Sequence, residues 1–150
     1  GKYHFIIIGD GPDREKIESY CDNRMLRSNF TFTGFISDLE LYLKSLDLFL
    51  MSSKDEGLGT SLLDAMICKI PIVSTNAGGI PEIVIHEKTG LLADVKDSKG
   101  LADNVLRLLE DHELKEKLVR NAKQQVVQEY SKEHTAQKTE TIYRQVIAEK

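Results

Sequence analysis

The sequence predicts an α/β domain built on a doubly wound parallel sheet. Short apolar runs rich in β-branched residues alternate with amphipathic segments that are long enough for helices. This alternation is typical of strand–helix units in which helices cover both faces of a parallel sheet. Glycine-bearing turns follow the predicted strands near Gly9, Gly34, Glu56 and Gly78. Because ligands bind at the carboxyl ends of the strands in such sheets, we expect these turns to surround one crevice.

The first predicted strand covers residues 3–8, an apolar run suited to a strand buried on both faces. It begins almost at the first residue, so we expect the domain to start upstream and the chain to be a fragment of a longer protein. A turn from Gly9 to Pro12 follows, with proline near the start of a helix. The apolar face predicted for that helix comprises Ile17, Tyr20 and Cys21. Gly9 and Gly11 either approach a ligand or simply connect strand to helix.

The second predicted strand covers residues 29–33, which alternate in polarity. The segment from Gly34 to Ile36 interrupts it. Ser37 and Glu40 then form a capping-box pattern, which predicts the start of a second helix. The apolar stripe predicted for this helix is Leu39, Tyr42, Leu43 and Leu46.

Residues 48–51 predict a third buried strand, and residues 70–74 predict a fourth. A loop and a helix lie between them, and Thr60 or Ser61 is the predicted N-cap of that helix. Its predicted buried face is Leu62, Leu63, Met66 and Ile67. Another side carries, at four-residue spacing, Thr60, Asp64 and Cys68.

The loop before this helix combines an acid with a short, flexible backbone. Glu56 is followed by Gly57, Leu58, Gly59 and Thr60. Such a backbone can bring N–H groups close to a ligand, and Asp64 lies one turn into the helix, beside its partly positive N-terminus. Free amides suit an anion and two carboxylates suit paired hydroxyls, and a nucleotide-sugar carries both. The alternative is that Glu56 is a solvated loop residue and that Asp64 only favours the helix dipole.

The remainder of the chain predicts a turn-rich connection, two short extended pieces and three helices. The connection and the extended pieces cover, in order, residues 77–82, 83–85 and 89–93. The helices begin near Ser98, Asp111 and Ser131, with Ser98 as the predicted cap of the first.

Composition bounds the function classes. The 150 residues suit one domain with a substantial core, and 41% hydrophobic and 29% charged residues are typical of a soluble globular protein. The net charge of -4 and the lack of a large basic block argue against nucleic acid as a partner. The two cysteines and four histidines show no metal-binding spacing, so we expect reduced thiols, no bound metal and a cytoplasmic protein.

Residues 52–93 resemble the signature of the retaining GT-B glycosyltransferases of family 4. In that family a serine-rich strand end precedes Glu-Gly-aromatic-Gly, a Leu-Glu-Ala-Met helix and Pro-Val-Val, followed by Gly-Gly-x-Pro-Glu and Thr-Gly-Leu-Leu. The matching segments here are SSKDEGLGT, LLDAM, PIV, GGIPE and TGLL. Residues 8–12 and 32–35 also resemble family segments, in the same order. The resemblance implies a Rossmann-like domain that forms the C-terminal half of a GT-B fold.

The resemblance also implies roles for the residues of the site. Glu56 looks like the first acid of the family's Glu-x7-Glu pair, which contacts donor-sugar hydroxyls, and is the predicted catalytic residue. Asp64 holds the place of the second acid, which binds the ribose. The backbone from Gly57 to Thr60 would meet the sugar and the diphosphate, and Gly9 and Gly11 are further predicted donor-binding positions. The turn expected to bracket the nucleotide base contains Thr33, Gly34, Phe35 and Ile36.

Two residues depart from the family pattern. Asp64 is one methylene shorter than the usual glutamate, so its ribose contact is longer or passes through water. Leu58 replaces an aromatic residue and alters how the sugar is packed.

Similar enzymes grip the diphosphate with an arginine and a lysine from a first strand–helix unit, which we expect upstream of this chain. Gly78 and Gly79 would form a pocket wall or a packing turn, and the packing role is favoured.

Residues 1–150 are therefore expected to be one nucleotide-sugar-binding domain of a retaining hexosyltransferase. The expected donor is a nucleotide-diphosphate sugar, with UDP as the favoured nucleotide and no further cofactor. The expected acceptor is a glycan or lipid-linked molecule bound by an N-terminal domain, as in polysaccharide biosynthesis, and peripheral membrane contact of the full protein stays open. We expect the fragment alone to transfer no sugar. The alternative is a noncatalytic nucleotide-sugar-binding module with the same fold.

Overall fold

A computed structural model describes residues 2–148, and the chain forms two compact units. The first unit ends at Leu39 and the second begins at Glu40. Every strand pair runs parallel, and helices connect the strands along the chain. The predicted α/β fold with parallel strands is confirmed, with the strands paired as one sheet of two and one of three.

The first unit is a strand–helix–strand unit. β1 (Phe5–Ile8) pairs with β2 (Phe30–Gly34), and α1 (Arg14–Asn23) connects them with a short 3-10 turn at Arg27–Asn29. The rings of Phe5 and Phe30 stack across the two strands, with their centroids 4.9 Å apart. This aromatic pair stabilises the pairing at the start of the sheet.

The apolar face predicted for α1 is only partly correct. Cys21 is buried, whereas Ile17 and Tyr20 are 40% and 56% exposed. A two-stranded sheet offers little surface for a helix to cover, so most of α1 stays in contact with solvent within this unit.

The second unit contains a three-stranded parallel sheet in the order β3 (Phe49–Met51), β4 (Ile72–Thr75), β5 (Leu91–Ala93). All four residues of the central strand β4 are buried, as expected for a strand covered on both faces. α3 (Thr60–Ile67) connects β3 to β4, and α4 (Ile80–Ile83) lies between β4 and β5.

The other helices of the chain are α2 (Leu39–Leu43), α5 (Ser98–Glu110), α6 (His112–Glu129) and α7 (Lys132–Ala148). α5 packs against β4 and β5, and α6 packs against α3 and α5. The core between them is formed by Val73, Leu91, Leu108 and Leu118, all fully buried. The sheet and α3 are therefore held by α5 and α6, while α7 has no buried side chain in the described part of the chain.

Helix starts differ from the prediction by one or two residues. Asp97, not Ser98, is the N-cap of α5, and its carboxylate accepts the amide of Gly100 at 2.8 Å. Asp111 caps α6 in the same way. α2 begins at Leu39, two residues after the predicted start.

The predicted extended piece over residues 83–85 is wrong at its first residue. Ile83 ends the short helix α4, and both Ile80 and Ile83 are fully buried. Gly79 is the N-cap of this helix and Pro81 lies in its first turn, where a missing N–H costs nothing. Separately, none of the helices within residues 2–148 has the length and apolar character needed to cross a bilayer.

Candidate functional site

The loop of residues 52–59 joins the carboxyl end of β3 to the start of α3. Gly57 and Leu58 are exposed, Glu56 is half-buried and Gly59 is buried. The loop therefore presents part of its backbone to solvent while its two ends are fixed. In a parallel sheet this is the edge at which ligands bind.

Glu56 is held through its main chain and through its side chain. The Gly79 N–H donates to the carbonyl oxygen of Glu56 at 3.0 Å, and the Ser53 hydroxyl donates to Glu56 Oε2 at 3.2 Å. Ser53 is held in turn, because the Thr75 hydroxyl donates to its carbonyl oxygen at 2.7 Å. The acid predicted to be catalytic thus stands in a fixed loop rather than a freely solvated one.

Gly78 and Gly79 pack directly on this loop. A Cβ added to Gly78 would lie 2.0 Å from the carbonyl oxygen of Glu56, and one added to Gly79 would lie 2.2 Å from that of Gly57. Gly78 also has a φ of 49°, a backbone conformation that residues other than glycine rarely adopt. The predicted packing role of this turn is confirmed.

The start of α3 differs in detail from the prediction. Gly59 is the N-cap, and Thr60 is the first helical residue, with no side-chain cap. The Thr60 N–H is already engaged, since it donates to the carbonyl oxygen of Leu58 at 2.7 Å. A Cβ at Gly59 would lie 2.7 Å from the Leu62 Cδ1 atom, so a larger residue at this N-cap would require the buried Leu62 side chain to shift.

Several amides at this helix start have no partner in the protein. Within residues 2–148, the N–H groups of four residues donate to no acceptor: Gly57, Leu58, Gly59 and Ser61. Unpaired amides at a helix N-terminus, where the helix dipole is positive, favour an anion. This is the chemistry that a diphosphate requires.

α3 buries one face and exposes the other. Leu62, Ala65 and Met66 are fully buried. The prediction was correct for Leu62 and Met66, but it was wrong for Ile67, which is 45% exposed. The burial follows i, i+3 and i+4 spacing, which leaves Thr60 and Asp64 on the exposed side. Asp64 is exposed, so a ligand can reach its carboxylate.

The thiols and imidazoles do not form a competing site. Burial raises the pKa of the Cys68 thiol, and the nearby Glu40 carboxylate raises it further, so this thiol is protonated and weakly nucleophilic near neutral pH. Among residues 2–148, no three His, Cys, Asp or Glu side chains are grouped closely enough to hold a metal ion.

The first unit brings together the two glycine turns that were predicted to bind a donor. The Gly9 N–H donates to the Gly34 carbonyl oxygen at 2.9 Å, and both glycines have positive φ values, 115° and 68°. Gly11 has open space around its Cα, and its N–H donates to the Asp10 carboxylate at 2.9 Å. The turns after β1 and β2 are therefore neighbours.

Phe35 is the most exposed residue of the turn after β2, at 88%. Thr33 points back into the unit, and its hydroxyl donates to the Gly34 carbonyl oxygen at 2.9 Å, while Ile36 is half-buried. Arg14 lies beside this turn, with its guanidinium 3.3 Å from the place of a Cβ on Gly34. The turn offers an exposed ring and a rigid backbone.

Three polar residues near these loops were missed by the sequence analysis. Arg14 pairs with Glu18 at 2.9 Å in the first unit, and Ser53 and Thr75 support Glu56 in the second. The only sequence indication for Thr75 is a hydroxyl at the end of an otherwise apolar strand. Nothing local connects it to Ser53, because the two lie on different strand ends.

A family model described as glycosyl transferases group 1 matches residues 1–125. Among curated proteins, N-acetyl-alpha-D-glucosaminyl L-malate synthase of Bacillus anthracis is 34% identical over 142 residues, 95% of this chain and 37% of that protein. The 2-deoxystreptamine N-acetyl-D-glucosaminyltransferase of Niallia circulans is 38% identical over 132 residues, 87% of this chain and 34% of that protein. The chain thus spans little more than a third of the length of these relatives.

Solved structures share the fold. HepE of Anabaena in complex with UDP superposes with a TM-score of 0.87 at 25% identity, over 95% of this chain and 41% of that one. Its complex with UDP-glucose gives 0.85 at 26% identity, over 93% and 40%. Sucrose-phosphate synthase from Thermosynechococcus elongatus gives 0.84 at 28% identity, over 97% and 39%.

Proposed function

The chain belongs to the group 1 glycosyl transferases, and from this membership we propose that it is the C-terminal, donor-binding part of a retaining hexosyltransferase. Its α/β fold matches that of GT-B glycosyltransferase structures. The donor is a nucleotide-diphosphate sugar, and the acceptor is a glycan or lipid-linked molecule held by a part of the protein that precedes this chain. UDP is the favoured nucleotide because HepE binds UDP and UDP-glucose on the same fold.

The observation that carries this proposal is the group of unpaired amides at the start of α3. The N–H groups of Gly57, Leu58 and Ser61 have no acceptor within residues 2–148, and they adjoin the half-buried acid Glu56. A diphosphate would accept hydrogen bonds from these amides, and the adjacent sugar would donate its hydroxyls to Glu56. The loop therefore offers both kinds of partner that a nucleotide-sugar needs.

The remaining roles in this proposal are those that the family resemblance implies. Asp64, on the exposed side of α3, would accept hydrogen bonds from the ribose hydroxyls, and a water molecule would bridge any gap left by its short side chain. The turn from Thr33 to Ile36 would bracket the base, with the 88% exposed ring of Phe35 as an apolar surface. The Gly9–Gly11 turn would support that backbone through its hydrogen bond to Gly34.

Catalysis in this proposal is mainly placement and charge stabilisation. The amides at the start of α3 would stabilise negative charge as it develops on the leaving diphosphate. Glu56 would hold the sugar so that its anomeric carbon faces the acceptor. The donor diphosphate itself would help to deprotonate the acceptor, so that no protein base is needed on this chain.

The test is a calorimetric titration of the protein with UDP and with UDP-glucose, UDP-N-acetylglucosamine, GDP-mannose and ADP-glucose. Glu56→Gln should weaken binding of the preferred sugar donor about tenfold while UDP binding stays close to wild type, since a hydrogen bond to a charged group is lost. Asp55→Asn is the matched control, because it removes an exposed acid of the same loop.

Three outcomes decide between the proposals. If the wild type binds none of the donors, or if Glu56→Gln binds and transfers sugar as the wild type does, the proposed function is wrong. If the complete protein binds donor with the predicted Glu56 dependence yet transfers no sugar to glycan or lipid-linked acceptors, the noncatalytic module is the better description. Transfer with inverted anomeric configuration would contradict the retaining mechanism alone.

A further inference from the structure

Ser53 makes the only side-chain hydrogen bond to the Glu56 carboxylate in the described part of the chain. Its hydroxyl donates to Oε2 at 3.2 Å, and Oε1 accepts no hydrogen bond within residues 2–148. A carboxylate has about four acceptor positions, so occupation of one oxygen by Ser53 leaves the other for a ligand. The two oxygens of Glu56 are therefore not equivalent.

The position of the Ser53 hydroxyl is itself determined by the sheet. Thr75 is the last residue of the central strand β4, is 1% exposed, and donates its hydroxyl hydrogen bond to the Ser53 carbonyl oxygen at 2.7 Å. Ser53 is half-buried in the loop. A buried, fixed donor thus holds the main chain from which the Ser53 side chain extends.

The main chain of Glu56 is fixed independently. The Gly79 N–H donates to its carbonyl oxygen, and Gly78 lies against the same oxygen without room for a Cβ. With the backbone held, the remaining freedom of Glu56 lies in its side-chain torsions. Among residues 2–148, the hydrogen bond from Ser53 is the polar interaction that selects among them.

Resting on the proposed function of this loop, we propose that Ser53 is a positioning residue that orients the Glu56 carboxylate toward the donor sugar. Its hydroxyl holds Oε2, so that Oε1 is presented to a sugar hydroxyl before the donor arrives. An acceptor that is already oriented loses less conformational freedom on binding, and the gain appears as affinity for the sugar. Thr75 acts one step further back by fixing Ser53.

The experiment compares affinities for UDP with those for the better bound of UDP-glucose and UDP-N-acetylglucosamine. Ser53→Ala should lower the preference for the sugar donor over UDP by about fivefold to tenfold, with UDP affinity retained. Ser53→Thr keeps a hydroxyl and should keep the preference. Ser52→Ala, at the neighbouring exposed serine, is the matched control and should change neither affinity.

A purely structural role predicts a different result. Ser53→Ala would then lower the unfolding temperature and leave the preference for the sugar donor unchanged, which would overturn the inference. An equal loss of preference in Ser53→Thr would also overturn it, because the hydroxyl would then not be the active feature. In a Glu56→Gln background, Ser53→Ala should have no further effect, and an additive loss would contradict coupling of the two residues.

Measurements on proteins that keep Ser53 test the proposed function separately from the role of Ser53. A wild type that binds neither sugar donor, or a Glu56→Gln variant that keeps the wild-type preference, overturns the role of Glu56 itself and this inference with it. A lost preference in Glu56→Gln together with a retained one in Ser53→Ala overturns only the role of Ser53.

Discussion

Gly79 is a residue whose missing side chain sets the path of the neighbouring loop. Gly79→Ala would place a methyl group only 2.2 Å from the carbonyl oxygen of Gly57, which is too close for the two atoms to coexist. Because that oxygen belongs to the backbone, the loop must move. We expect a loss of about 1–3 kcal/mol in the free energy of unfolding together with weaker binding of the sugar donor.

Gly57→Ala is the matched control for this stability measurement, since an added Cβ there meets nothing within 4 Å. Urea unfolding of both variants, followed by circular dichroism, gives the comparison. Equal free energies of unfolding for Gly79→Ala and the wild type would show that the loop yields easily, and would contradict the rigid packing described here.

At this scale the sequence predicts where the two acids lie better than it predicts the groups that hold them. Glu56 and Asp64 stand on the loop and the exposed helix side that their spacing indicates. The groups that hold Glu56 could not be predicted, because Thr75 ends a different strand and Gly79 follows it, and both meet the loop only in the folded sheet. Local patterns contain no information about such pairings.

Two helices end in the same way, with a residue in the left-handed conformation that is not glycine. After α3, the Lys69 N–H donates to Met66 O at 3.2 Å and the Ile70 N–H to Ala65 O at 2.9 Å, which is the Schellman pattern. Lys69 has a φ of 61°. Met25 occupies the equivalent position after α1, with a φ of 56°.

Lys69→Gly should therefore stabilise the protein. Glycine adopts a positive φ without steric cost, and we expect a gain of about 0.5–1 kcal/mol in the free energy of unfolding after the greater freedom of glycine in the unfolded chain is subtracted. Thermal unfolding at neutral pH measures it. Lys69→Ala removes the same charged side chain without relieving the backbone, so a gain of equal size in that variant would refute the explanation.

α4 shows why some elements could not be predicted from the sequence. With four residues it is too short to display a helical period. Its position depends on distant groups, because the Gln125 side chain donates to the Ile83 carbonyl oxygen at 3.1 Å and Tyr130 donates to that of Glu82 at 2.9 Å. The longer helices α5 and α6, by contrast, begin within one residue of their predicted starts, although Asp97 rather than Ser98 caps α5.

For the whole molecule, the burial pattern predicts that α7 contributes little to folding stability. No side chain within Lys132–Ala148 is buried, and Ile142 and Val146 are more than half exposed. A chain that ends after Ser131 should have a free energy of unfolding within about 1 kcal/mol of that of the full chain, because little buried apolar area is lost.

A chain that ends after Glu129 is the matched comparison. It also loses Tyr130, whose hydroxyl donates to the Glu82 carbonyl oxygen, and should be less stable by about 1 kcal/mol or more. Calorimetry on the two shortened chains distinguishes the contributions. A large drop in unfolding temperature for the longer of them would show that α7 supports the fold.

At the same scale, alternation of strands and helices was sufficient to predict the α/β class and parallel strand pairing. The grouping of the strands into a pair and a triplet was not predictable, because the alternation is the same in both. The apolar residues of β4 indicated that this strand is buried, and a strand buried on both faces is expected at the centre of a sheet.

The link between Gly79 and Glu56 joins one peptide group to another, and no side-chain atom takes part in it. This backbone link can therefore form with any amino acid at position 56, whereas the hydrogen bond from Ser53 needs a side-chain acceptor there. Aspartate, glutamine or alanine can be exchanged into this position while the surrounding scaffold is retained. Differences in selectivity across such a series would report the side chain together with its hydrogen bond from Ser53, which makes this position a suitable starting point for redesigning sugar preference.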